Sequence, residues 1–204
     1  MEKIDLKKNL AFLYKVSAKN PEIVTVPKLN YLMVDGVGDP NNSKTFMDAI
    51  EALYSMSYTI KFMIKKGPQQ IDYGVMPLEA LWWMDDMKEF SMENKSKWKW
   101  TIMIMQPDFV TKALFEEAKK LVAAKKSPEL IKGIRMETMQ EGLCAQILYI
   151  GPYDKESSTI VKLHEFIKES GYDLRGKHRE IYLNDMRRTA PEKLKTIIRQ
   201  PMGK

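Results

Sequence analysis

The chain has 204 residues, 44% hydrophobic and 29% charged, enough to bury a substantial core as one large domain or two fused small ones. Its net charge of +6 and pI near 9.1 come from bases spread among acids, which leaves no concentrated tract for nucleic acid. No apolar run approaches the roughly eighteen residues of a membrane span, no secretory signal is expected at the N-terminus, and the lone Cys144 excludes an internal disulfide, so a cytoplasmic setting is expected.

Residues 1–20 form a polar segment with one short helix expected in LKKNLAFLYKV. EIVTVPKLNYLMVDGVGDPN then reads as extended chain, broken at Pro27 and stopped by Gly36, Gly38 and Pro40. Ser43 suits an N-cap, and Phe46, Ala49, Ile50, Leu53, Met56, Ile60 and Ile64 give a helical stripe that ends at Gly67 and Pro68. Strands Tyr73–Met84 and Lys97–Gln106 follow, separated by an acidic loop. In KSKWKW (95–100) bases and aromatics interleave as in single-strand binders. Ile102 and Ile104 continue the alternation, however, which favours a strand with Trp98 and Trp100 in the core.

A connecting helix spans Phe109 to Ala124, with Val110, Leu114, Ala118, Leu121 and Val122 on one face. A strand over Gly133–Gln140 leads into Gly142–Asp154, followed by a helix from Glu156 to Ser170 that turns Ile160, Leu163 and Ile167 inward. His178–Asp185 and Leu194–Pro201 are the last strands. The order strand, helix, strand, strand thus occurs twice, with a glycine-bearing turn before each helix, and it aligns Glu79 with Glu180 and Trp83 with Asn184. One domain is expected over 21–204: module one about 22–106, a connection over 107–132 and module two about 133–204.

In GKHREIYLNDMRR, Ile181 and Leu183 alternate with Glu180 and Tyr182, so one strand face is apolar and the other pairs a carboxylate with a phenol. On residues alone, an exposed strand carboxylate is favoured for Glu180 by roughly two to one, since exposed Glu is the norm. His164 and His178 are the only histidines, no zinc spacing accompanies them, and DGVGDP lacks the lysine and serine of a phosphate loop, so neither metal nor cofactor is expected.

YGVMPLEALWW, YIGPYDKE and above all HREIYLNDMRRTAPEKLKTIIRQP resemble the GyrI-like small-molecule-binding domains, from about Glu22 to Pro201. The resemblance implies an α+β fold of two pseudo-symmetric strand–helix–strand–strand modules, with antiparallel sheets flanking a central ligand cleft. It implies flat aromatic or cationic ligands and a cleft glutamate, matched here by Glu180. No DNA-binding helices are expected before the domain, which makes the chain similar to stand-alone members.

LEALWW and REIYLND are similar to a branch that hydrolyses cyclopropanoid DNA-alkylating genotoxins. For that chemistry Glu180 is the expected base and Tyr182 the donor to the developing oxygen anion. Trp82, Trp83, Tyr58 and Tyr153 are the candidate stacking surfaces, and Glu79 is a second acid or a pseudo-symmetric echo. Adjacent Trp82 and Trp83 face opposite ways, and Trp83 is preferred because it shares parity with Glu79. Ile181 and Leu183 are expected under a helix, and the best-formed cavity is expected to hold Glu180, Tyr182 and one of the two tryptophans. The alternatives are a non-catalytic multidrug-sequestering module, a relative of ligand-sensing regulators, or a gyrase-inhibitor-like interaction protein. A small ligand is the expected partner of a monomer or weak dimer, with no metal, nucleic acid or membrane.

Overall fold

Residues 2–41, 43–86, 92–125 and 128–204 are described by a computed structural model of mixed α/β class with antiparallel sheet and flanking helices. Residues 87–91 of the acidic loop expected before Lys97 lie outside the described residues. Contacts divide the chain into two units: Met1–Asn9, Leu29–Met76 and Trp83–Met139 form unit 1, and Leu10–Lys28, Pro77–Trp82 and Gln140–Lys204 form unit 2.

In unit 1, a short strand β1 (Glu2–Ile4) is followed by helix α1 (Leu6–Asn9). Strand β2 (Glu22–Val37) contributes its second half, and helix α3 (Lys44–Lys66) follows it. As expected, Ser43 caps α3, accepting from the Phe46 amide at 3.2 Å, and Phe46, Ala49, Leu53, Met56, Ile60 and Ile64 are buried along its inner face. β3 (Ile71–Tyr73) runs parallel to β1, while β5 (Lys99–Gln106) pairs antiparallel with β2 from Asn30↔Gln106 to Val37↔Lys99. That register sets Gly36 opposite Trp100, where a Cβ would meet the indole at 2.0 Å, so the approach requires glycine. Trp98 and Trp100 are both buried, which carries the core-facing expectation for KSKWKW. Thr111 caps α4 (Lys112–Ala123), which packs on α3 through Phe115, Ala118 and Val122; Leu121, expected on that face, is exposed. A one-turn helix α5 (Pro128–Lys132) completes the unit, and the periodicity gave no sign of it.

Unit 2 holds helix α2 (Ala11–Tyr14) and nearly all of strand β4 (Leu78–Trp83). It also takes most of β6 (Arg135–Ile150), helix α6 (Ser157–Glu169), and strands β7 (Asp173–Leu174), β8 (His178–Tyr182) and β9 (Lys195–Gly203). The two strands read before and after Gly142 are one strand, β6, which Gly142 passes with φ +72° instead of breaking. β9 is the organising strand: it pairs with β6 from Cys144↔Pro201 to Ile150↔Lys195, with β8 from Arg179↔Arg199 to Tyr182↔Thr196, and with β7. β8 takes β4 on its other side, from Leu78↔Tyr182 to Trp82↔His178. Leu163 and Ile167 of α6 pack on Ala145, Ile147, Ile198 and Met202, so α6 covers the face that carries Ile198.

Candidate functional site

β8 is buried on both faces, and its neighbours decide what each face meets. Cross-strand partners share a face, so Glu180, opposite Ala80 and Ile198, lies on the α6 side with His178 and Tyr182. Arg179 and Ile181, opposite Leu81 and Glu79, lie on the other. This reverses the expectation that Ile181 and Leu183 would sit under a helix. Ile181 is buried on the Arg179 face and Leu183 is only half-buried. Alternation separates two faces but does not say which one the helix takes.

Glu180 is 9% exposed, and both its oxygens have donors. The Tyr182 hydroxyl donates to Oε2 at 2.6 Å, and His178 Nε2 lies 3.2 Å from Oε1. Trp82 Nε1 donates in turn to the Tyr182 hydroxyl at 3.3 Å. The residue before α6, Glu156, is buried as well, 8% exposed. The IGPYD turn delivers it. Gly151 adopts φ +149° and lies where a Cβ would meet the Tyr149 hydroxyl at 2.5 Å. That hydroxyl ties the turn by donating to the Pro152 carbonyl at 2.9 Å. Tyr153 then sets its ring edge-on to Tyr182, centroids 5.5 Å apart.

Burial alone pushes the Glu180 carboxyl up, but the hydrogen bond and charge of His178, with the hydrogen bond from Tyr182, outweigh it and hold the group below its usual range. Burial, then the Glu180 charge, drives the Tyr182 phenol well above its ordinary value. The result is an anionic carboxylate in a low-dielectric place, oriented by a phenol and an imidazole. Such a group can orient and deprotonate water.

Of the expected site residues, the structure brings together Glu180, Tyr182, Trp82 and Tyr153. Glu79 is not with them. It is fully buried on the opposite face, where Arg179 grips it with Nε at 2.8 Å and also through Nη2, and the Tyr14 hydroxyl donates to it at 3.2 Å. Trp83 shares that parity, so the parity argument that preferred it over Trp82 selects the wrong face relative to Glu180: Trp82 is the tryptophan that reaches Tyr182. Tyr58, 46% exposed on α3, stacks between Tyr54 and Phe62 with centroids 6.3 and 6.5 Å away. A cavity of about 500 Å³ lies in unit 1 among Lys3, Lys61, Asp72, Tyr73 and Met76, and the expected pair Glu180 and Tyr182 does not line it.

Sequence reasoning missed the contact of His178 with Glu180. His178 was legible, since positions 178, 180 and 182 share a strand face; it was weighed only as a metal ligand. Among the described residues, no group of three or more His, Cys, Asp or Glu is arranged to hold a metal ion, and no helix is long and apolar enough to cross a membrane.

Comparison with known proteins adds to this geometry. An uncharacterised conserved protein of Listeria innocua is 38% identical, covering 98% of this chain and 100% of its own with a TM-score of 0.88. A hydrolase from Listeria innocua is 37% identical over 99% of this chain and 100% of its own, with a TM-score of 0.87. A further hydrolase structure from the same organism is 37% identical over 98% of this chain and 100% of its own, with a TM-score of 0.84. No curated protein matches the chain. The GyrI-like small molecule binding domain matches residues 19–202, nearly the whole length, and the chain therefore belongs to that family.

Proposed function

We propose that the chain is a hydrolase that binds a flat aromatic molecule against the Glu180 face of unit 2 and opens its strained cyclopropane with water. One observation carries this reading: Glu180 is a buried carboxylate held in place by Tyr182 and His178. The hydrolase names of Listeria relatives that align along almost the whole chain support it.

In the proposed step, water oxygen attacks the cyclopropane methylene and its proton passes to Glu180. The breaking carbon–carbon bond sends its electron pair into the dienone, whose oxygen becomes a phenolate and then takes a proton. Tyr182 orients Glu180 at rest by donating to it. Once Glu180 has taken the water's proton it is a weaker acceptor, which frees the Tyr182 hydroxyl to donate to the phenolate oxygen. Tyr153 and Trp82 supply aromatic surface beside the reacting groups. Ring strain provides much of the driving force, so a modest site suffices.

The test is mass-spectrometric turnover of a cyclopropanoid dienone by the purified chain, with Glu180→Gln beside it. Conversion to the water adduct that Glu180→Gln loses supports the proposal. Conversion at an equal rate by both removes Glu180 as the base. The family's description as a binding domain favours one second reading, sequestration without chemistry. Stoichiometric binding with no product would establish it.

A further inference from the structure

The cavity of about 500 Å³ in unit 1 takes no part in the proposed hydrolysis, yet its wall is built around charge. Strand β1 forms one side. It runs parallel to β3 with Lys3 opposite Asp72 and Ile4 opposite Tyr73, and partners on neighbouring strands share a face. Asp72 already has two cations: Lys65 Nζ donates to Oδ2 at 2.7 Å, and Lys61 Nζ lies 3.5 Å from Oδ1. Those lysines stand one turn apart on α3, so the helix presents both to the same carboxylate. The side chains of Lys61 and Asp72 are 19% and 20% exposed, so the cluster is partly withdrawn from water.

Lys3 and Lys7 add charge at the exposed rim, and neither has an acidic partner among the described residues. The other acid in the wall, Asp5, accepts the Lys8 amide at 3.2 Å and faces Lys8 Nζ at 4.0 Å. Positive charge is therefore in excess where both acids are engaged.

Two further features suit an organic ligand rather than a bare ion. Ile4, Val75 and Met76 give the cavity apolar surface, and its volume falls in the range of small-molecule sites. Tyr73, 4% exposed, also lines it, and the Tyr73 hydroxyl is buried without a hydrogen-bond partner. Its ring is set edge-on to Phe109, centroids 5.3 Å apart, which limits where the hydroxyl can turn. Buried hydroxyls are seldom left unpaired, because nothing repays their lost hydration. Burial also raises the Tyr73 phenol above its ordinary value, so it keeps its proton to donate.

We propose that this cavity is a second ligand site, one for an organic anion. Lys3, Lys7 and Lys61 hold the carboxylate or sulfonate head, Tyr73 donates its hydroxyl, and the apolar body lies against Ile4, Val75 and Met76. Its sign is opposite to that of the Glu180 face, where an ionised carboxylate favours neutral or cationic molecules. The two sites therefore select different compounds.

Isothermal titration calorimetry of the full chain with octanoate, beside octanol, tests this. Octanoate is expected to bind saturably and more weakly as salt rises, while octanol, with the same tail and no charge, binds at least about tenfold more weakly. Lys3→Glu combined with Lys7→Glu, at exposed positions outside the core, should weaken octanoate by about tenfold or more. Tyr73→Phe should weaken it by about twofold to tenfold with thermal stability equal to or above the wild type, since no protein partner is lost. Glu180→Gln should bind octanoate as the wild type does. Absence of saturable binding, equal affinity for octanol, or affinity unmoved by the lysine reversals overturns the site. Loss of octanoate in Glu180→Gln also overturns it, by moving the anion to the Glu180 face. None of these readouts involves turnover, so a failed cyclopropanoid assay leaves the proposal to be decided by octanoate alone.

Discussion

The two faces of β8 bury charge in opposite ways. On one, Arg179 is fully buried between Glu79 and Glu141, with the Tyr14 hydroxyl on Glu79. Next to it Arg199 donates to Gln146 at 2.9 and 3.0 Å and to the Leu13 carbonyl at 2.8 Å. A guanidinium does not titrate, so its carboxylate partners stay committed to it. On the other face the hydrogen-bond partners of Glu180 among the described residues are an imidazole and a phenol rather than a guanidinium. The first arrangement locks a core. The second can move protons. Glu79 on β4 and Glu180 on β8 are both buried glutamates, and their neighbours separate a structural role from a reactive one.

Substitutions separate the two. Arg179→Ala should act most strongly, leaving Glu79 and Glu141 buried without their counter-charge at a cost of about 3–5 kcal/mol. Chemical denaturation would register it, and a stability equal to the wild type would refute the structural role. Glu180→Gln should do the reverse, slowing single-turnover hydrolysis by about 10²–10⁴ while binding titrations stay close to wild type. Tyr182→Phe removes one hydrogen bond to Glu180 and should cost about tenfold to a hundredfold in the same assay.

Acid should also act on the reactive face. The folded-state pKa of Glu180 is depressed below the ordinary value of 4.5, so the stabilisation it contributes is present above that value and fades as pH falls through the folded pKa. The acid limb of turnover should accordingly lie below 4.5, and a limb above it would mean that burial outweighs the donors. The smallest effect tests parity: Trp82→Phe, which removes the donor to Tyr182, should slow turnover by about tenfold or less, whereas Trp83→Phe should leave it unchanged. The opposite ranking would return the site to the Trp83 face.

Much of this was legible in the residues. The Ser43 cap, the α3 stripe and the Trp98/Trp100 alternation are local patterns, and local physics decides them. Glu180 and Tyr182 on one face followed from strand period alone. Glu79 was misplaced because the repeat aligned it with Glu180 along the chain, whereas sheet register sets Ala80 opposite Glu180. Register depends on partners far away in sequence, which periodicity does not contain. Gly142 looked like a break because glycine usually ends strands, yet β6 carries its positive φ within a continuous ladder.

The pairing of β4 with β8 also has a kinetic side. Trp82 and Tyr182 stand 100 residues apart in sequence, as do Glu79 and Arg179, yet each pair is in hydrogen-bond contact. Closing so large a loop costs entropy before any contact repays it, so this ladder should be among the last to form on refolding, after the α3 helix and the β8–β9 hairpin. The chain therefore spends part of its folding time with helices in place and Glu79 and Glu180 still in water, and the hydrogen bonds around both are complete only when the β4 segment is captured.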